Sequence, residues 1–161
     1  MGLVMFNSRE EVMRCFGDLN LPKIFRDIWN GTAPRSWLVL RPAPYRYFMV
    51  GQTWIPAHDL DPLVPLLEEN LEYLYGYDQK AGEYVRYDYR TGERKVIGVH
   101  YQQFIGWLFT DLCYSGLLDV AEEFADAFNF RYLDELRKWA SEDDDQNSFD
   151  AQRAFVDQLH D

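Results

Sequence analysis

Between Leu71 and Val99 the apolar positions recur at every second residue, the period of a strand with one face buried. Leu71, Tyr73, Tyr75 and Tyr77 form a first alternating run, Val85, Tyr87 and Tyr89 a second, and Val96, Ile97 and Val99 a third. The interruptions, Asp78-Gln79-Lys80-Ala81-Gly82 and Arg90-Thr91-Gly92-Glu93, hold residues that turns favour. This pattern predicts a three-stranded antiparallel meander. From His100 to Tyr114 the period becomes helical, with Phe104, Trp107, Leu108, Asp111 and Leu112 along one stripe and Ser115-Gly116 as its stop.

On the N-terminal side, Ser8-Arg9-Glu10-Glu11 has the form of a capping box for a helix running to about Phe16. Pro22 then opens a second helix with Ile24, Phe25 and Ile28 on one side, and Gly31 ends it. Residues 37–40, 45–50 and 52–55 are β-rich and predict a hairpin at one sheet edge. Pro62 and Pro65 make 59–70 a loop or a short helical turn.

After Gly116, residues 117–139 resume helical character, with Leu118, Ala121, Phe124, Ala125 and Phe128 on one side and Asp119, Glu122, Glu123 and Asp126 opposite. Residues 141–148 lack any apolar side chain and read as a linker to a short amphipathic helix through Phe149, Phe155, Val156 and Leu159. No internal repeat is visible. The expectation is a single α+β domain, an antiparallel sheet of about five to six strands flanked by N-terminal and C-terminal helices. Its boundaries are 1–140, with an added acidic helical region from 117, followed by 141–161 as acidic linker and isolated helix.

Composition narrows the functional classes. With 47% hydrophobic and 17% aromatic residues the chain is too apolar to be disordered. Its longest apolar runs, such as 104–109, fall well short of the ~20 residues that span a bilayer. The N-terminus lacks a basic region followed by an apolar one, so a cytoplasmic location is expected. Cys15 and Cys113, the only cysteines, are expected as reduced thiols. The net charge of −11 is uneven: residues 117–161 hold thirteen acids and four bases, against fourteen and twelve in residues 1–116. Such a surface repels phosphate backbones and attracts a basic protein, which argues against nucleic acid and for a protein partner.

Candidate chemistry is sparse. His58, His100 and His160 are scattered, none at the i, i+4 spacing that presents two imidazoles to one metal. His58-Asp59-Leu60-Asp61 is more simply a solvated turn than a ligand set. Asp143, Asp145 and Asn147 imitate the start of a calcium loop, but Ser148 stands where Gly is needed and Ala154 where the bidentate Glu belongs. Neither cysteine sits in a nucleophile motif, and no phosphate-binding glycine loop occurs. No catalytic residue, metal site or cofactor is expected. The tyrosines are the remaining candidates, and Tyr84, alternating with Arg86 and Asp88, is placed on a wetter face and so at a partner surface.

Two N-terminal helices, a strand pair ending in Trp54-Ile55-Pro56, the meander, and a helix opening His100-Tyr101-Gln102-Gln103-Phe104-Ile105-Gly106-Trp107-Leu108 resemble the SUKH superfamily, with its "(I/L)P" turn and its "F-x-x-(W/F)-L" helix. The likeness covers about residues 8 to 115. It implies an α+β domain whose bacterial members often serve as immunity proteins against polymorphic toxins, frequently nucleases, without shared catalytic residues. The chain departs from that pattern in its Pro-rich stretch at 59–67 and in the acidic region after Gly116. The expected function is therefore a non-enzymatic immunity or inhibitor protein for a basic toxin domain. Its expected contacts are Asp119, Glu122, Glu123, Asp126, Asp134, Glu135 and Tyr84. A scaffold or regulatory domain without a toxin target is the alternative, with a small hydrolase or transferase third.

Overall fold

In the computed structural model, which describes residues 9–34, 63–69, 72–142 and 149–161, the chain begins with α1 (Arg9–Asp18) and α2 (Lys23–Asn30). Ser8 and the hairpin expected over 37–55 lie outside the described residues. Pro22 precedes α2 and Gly31 closes it in the left-handed region at φ 70°, as the sequence predicts. Phe16 meets Phe25 and Trp29 edge-on, with ring centres 6.1 and 5.8 Å apart, so two aromatic contacts join the two helices. Trp29 Nε1 donates to the carbonyl of Leu66 (3.1 Å), which satisfies a buried indole.

Leu66 belongs to β1 (Leu63–Glu69), the first strand of a four-stranded antiparallel sheet that continues through β2 (Tyr73–Asp78), β3 (Glu83–Asp88) and β4 (Arg94–Gly98) in that order. The fold class is thus α+β, and the predicted meander is β2 to β4. The loop expected over 59–70 is corrected: residues 63–69 are a strand. Leu63, Val64, Leu66 and Leu67 are all buried, an apolar gain that outweighs the proline, and Pro65 sits where the register with β2 slips. A bulge is where a missing ladder N–H costs least.

Two turns of one design join the meander. Asp78 Oδ1 accepts the N–H groups of Lys80 and Ala81 (2.9 and 3.0 Å), and Asp88 Oδ1 accepts those of Arg90 and Thr91 (2.7 and 3.0 Å). Gly82 and Gly92, at φ 71° and 72°, donate back to the carbonyls of Asp78 and Asp88. Only glycine holds that backbone cheaply. These amides hold the Asp88 carboxyl below the ordinary carboxylate range, Thr91 most strongly. Tyr-Asp-x-x-x-Gly-Glu therefore occurs twice, at 77–83 and 87–93, a short repeat that the period-two reading passes over.

The sheet is buried on both faces. Leu74 and Tyr75 are successive residues, hence on opposite faces, and both are almost wholly covered (0% and 1% exposed). Leu63, Leu74, Val85 and Tyr87 form the core on one side. On the other, Tyr77 pairs across the ladder with Tyr84, ring centres 4.9 Å apart. Tyr84 is only 4% exposed, which corrects its placement on a wetter face.

The chain divides into two compact units after Val96, within β4. The second unit is built on α3 (Tyr101–Tyr114), followed by α4 (Leu118–Phe124), α5 (Leu133–Ser141) and α6 (Phe149–Val156). All nine residues from 102 to 110 are buried, so α3 is surrounded rather than striped as its sequence predicts. The helical stretch expected over 117–139 is two helices. Phe130 N–H reaches back to Ala125 O (2.8 Å), Asn129 takes a left-handed φ of 54°, and Phe128 and Phe130 both pack on Phe109. Two rings two positions apart cannot share one face of an unbroken helix, and Asn tolerates the left-handed turn that lets them.

The isolation expected for 149–161 is also corrected, because α6 docks on α3. Phe155, Val156 and Leu159 are buried, each worth about 1.5–3 kcal/mol of transfer from water before entropy is charged. A Leu159 methyl occupies the space beside Gly106 that a β-carbon there would need. Gln152, 4% exposed, donates its amide to Thr110 Oγ1 (2.9 Å) and Asp111 Oδ1 (2.7 Å), both on α3.

Candidate interaction surface

The six acidic positions expected at a partner surface all lie on exposed sites of the second unit: Asp119, Glu122, Glu123 and Asp126 on and just beyond α4, and Asp134 and Glu135 in the first turn of α5. They do not act alike. Arg137 spans the two helices, its Nε 2.7 Å from Glu122 and its Nη1 2.9 Å from Asp134. Those contacts, Glu122 first, push the guanidinium further up, and they reduce the field that either carboxylate projects. Among the described residues, Asp119 and Asp126 carry no cation contact of this kind.

Glu135 faces a different feature, a cleft of about 400 Å³ between α5 and α6. Its floor is Trp139, Ala151, Ala154 and Phe155, and Glu135, Lys138 and Glu142 stand on its rim. Trp139 is half-buried and held between Tyr114 and Phe155, with ring centres 5.5 Å away in both cases. Sequence reasoning missed this cleft because it set α6 apart from the core. The signal was available in the apolar side of α6, which needs a partner, and in the glycine at the middle of α3.

Two histidines that look scattered in the sequence meet at the start of α3. His100 and His160 are edge-on at 5.2 Å, and His100 Nδ1 lies 3.5 Å from Asp161 Oδ2. Asp161 Oδ1 accepts the Gln102 N–H (3.0 Å), and Tyr132 Oη donates to the His160 carbonyl (3.0 Å). A carboxylate on the first amides of a helix complements its dipole, so the cluster fastens residues 159–161 to α3. Among the described residues, no group of three or more His, Cys, Asp or Glu is placed to hold a metal ion.

Cys113 is half-buried on α3, and burial above all, with Glu122 adding to it, pushes its thiol up to about 11. Burial likewise raises Cys15, which accepts a contact from the Gln79 amide at 3.6 Å. Thiols so shifted hold little nucleophilic thiolate near neutrality. Among the described residues, no helix is long and apolar enough to cross a membrane.

No protein family, curated protein or solved structure matches this chain.

Proposed function

We propose that this chain is a non-enzymatic inhibitor of the immunity type, binding and neutralising a basic toxin domain through its acidic helical unit. The observation that carries the reading is the division of charge. Residues 97–161 hold fourteen acids and four bases, whereas residues 1–96 hold thirteen and twelve. A compact unit at −10 steers a basic protein toward itself and repels nucleic-acid phosphates. Asp119, Glu123, Asp126 and Glu135 are exposed and serve as contacts, with Glu122 and Asp134 moderated by Arg137.

The toxin as partner, a nuclease among the options, comes from the SUKH-like motifs, and a cytoplasmic setting is part of the same proposal. The proposal keeps the larger sheet of about five to six strands that the sequence reading expects.

The test is stopped-flow association with the protein encoded by the neighbouring gene, at low and high salt. Wild-type association is expected to be fast and to slow steeply with salt. The combined Asp119→Lys, Glu123→Lys and Asp126→Lys variant should associate more slowly and with a flatter salt dependence. Equal rates for the two proteins would remove this face from the binding site. Failure of the wild type to associate, or to protect against that protein's toxicity, would remove the immunity reading for that partner.

A further inference from the structure

We infer that the cleft between α5 and α6 seats an arginine-bearing amphipathic helix of a basic partner, with one guanidinium lying on Trp139 between Glu135 and Glu142. The inference rests on the proposed reading of the helical unit as a binder of basic proteins, and it names where and how that unit grips. Two neighbouring helices with an apolar floor between them form a groove of the kind that accepts a helix. Its volume of about 400 Å³ suits one long side chain and the apolar residues flanking it.

The chemistry of the walls selects the anchor. Ala151 and Ala154 leave room along the floor, where the methylene stem of arginine can lie. Trp139 offers an indole fixed by Tyr114 and Phe155, so a planar cation stacks on it with little ordering cost. Glu135 and Glu142 supply carboxylates at the rim, and Lys138 is the one cation among the described residues that line it. The sign of the charge argues against other occupants. A second copy of this chain brings −11, and the stretch 143–148 of this chain begins with three aspartates.

Titration of the isotopically labelled full-length protein decides between them. The probe is a peptide of about fourteen residues, roughly four helical turns, with Leu on one face and Arg on the other. Two controls accompany it: the same peptide with Glu in place of Arg, and the neighbouring-gene protein. The Leu/Arg peptide should shift the Trp139 indole resonance, and the Leu/Glu peptide should not. Ala154→Trp fills the floor at an exposed position, so the fold is kept, and should weaken binding about tenfold. Glu135→Gln should weaken it less.

Unchanged binding by Ala154→Trp, with loss in the Asp119→Lys, Glu123→Lys, Asp126→Lys variant, overturns the cleft and leaves the acidic-surface reading standing. The cleft is equally overturned if the Leu/Arg peptide fails to bind while the neighbouring-gene protein still associates. Failure of both probes removes the broader reading together with the cleft.

Discussion

Leu159 fills the hollow that the missing side chain of Gly106 leaves on α3, and this contact locks the end of the chain to the most buried helix of the second unit. Gly106→Ala therefore sets two effects against each other. Alanine improves helix propensity by about 1 kcal/mol, while overpacking against a buried leucine costs about 1–3 kcal/mol. The net expectation is destabilisation of up to about 2 kcal/mol in urea unfolding. In a Leu159→Ala background the sign should reverse, because the crowding is gone and the propensity gain remains. Destabilisation of equal size in both backgrounds would show that Leu159 is not what excludes the methyl.

Removal of residues 149–161 is expected to destabilise the helical unit by several kcal/mol. It exposes the surfaces covered by Phe155, Val156 and Leu159 and leaves Thr110 and Asp111 without the Gln152 amide. Denaturation followed by helical circular dichroism measures it. A truncated chain as stable as the full one would contradict the docking of α6.

Cys113 gives a pH dependence of defined sign. Its folded value, raised to about 11 from 9.0, means that the folded state prefers the neutral thiol. The contribution is complete below pH 9.0 and is lost as pH rises through about 11. Other groups titrate in that window, so the comparison is with Cys113→Ala. The stability difference between wild type and variant should be flat below pH 9.0 and shrink toward pH 11. A difference independent of pH across the window would show that the thiol is not shifted.

Arg137 bridges two exposed carboxylates, and exposed ion pairs add little to folding. Arg137→Gln should leave the unfolding midpoint unchanged within error while releasing Glu122 and Asp134 to face the solvent. Association with a basic protein should then be faster at low salt and converge with wild type at high salt. Slower association would identify Arg137 itself as a contact.

The meander was legible because its signals are local: alternating tyrosines and Asp/Gly turns need no knowledge of the rest of the chain. β1 was not, since a proline rule that holds for a regular central strand gives way where a bulge absorbs the missing N–H and four apolar residues gain burial. Tyr84 misled for a related reason. Arg86 and Asp88 beside it suggest a wet face, yet β2 and β3 place Tyr84 against Tyr77 on a face that is also covered. The exposure of the acidic positions was legible from helical periodicity, because carboxylates on the outer side of an amphipathic helix face solvent almost by construction. What periodicity does not reach is tertiary: the Arg137 bridge, the meeting of His100 with His160, and the cleft at Trp139 each join residues fifteen or more positions apart or on separate helices.

Fourteen acids against four bases make residues 97–161 push against themselves, a cost that any compact body of one sign bears and that dissolved ions relieve. Added salt should thus tighten this unit while it weakens the attraction to a cationic protein, so folding and capture respond to ionic strength in opposite directions. A basic partner of the kind proposed would resolve the opposition by acting as a single polyvalent counterion. Its docking would relieve the repulsion at low salt that mobile ions relieve at high salt, and part of the binding energy would appear as firmness of the helices beneath it.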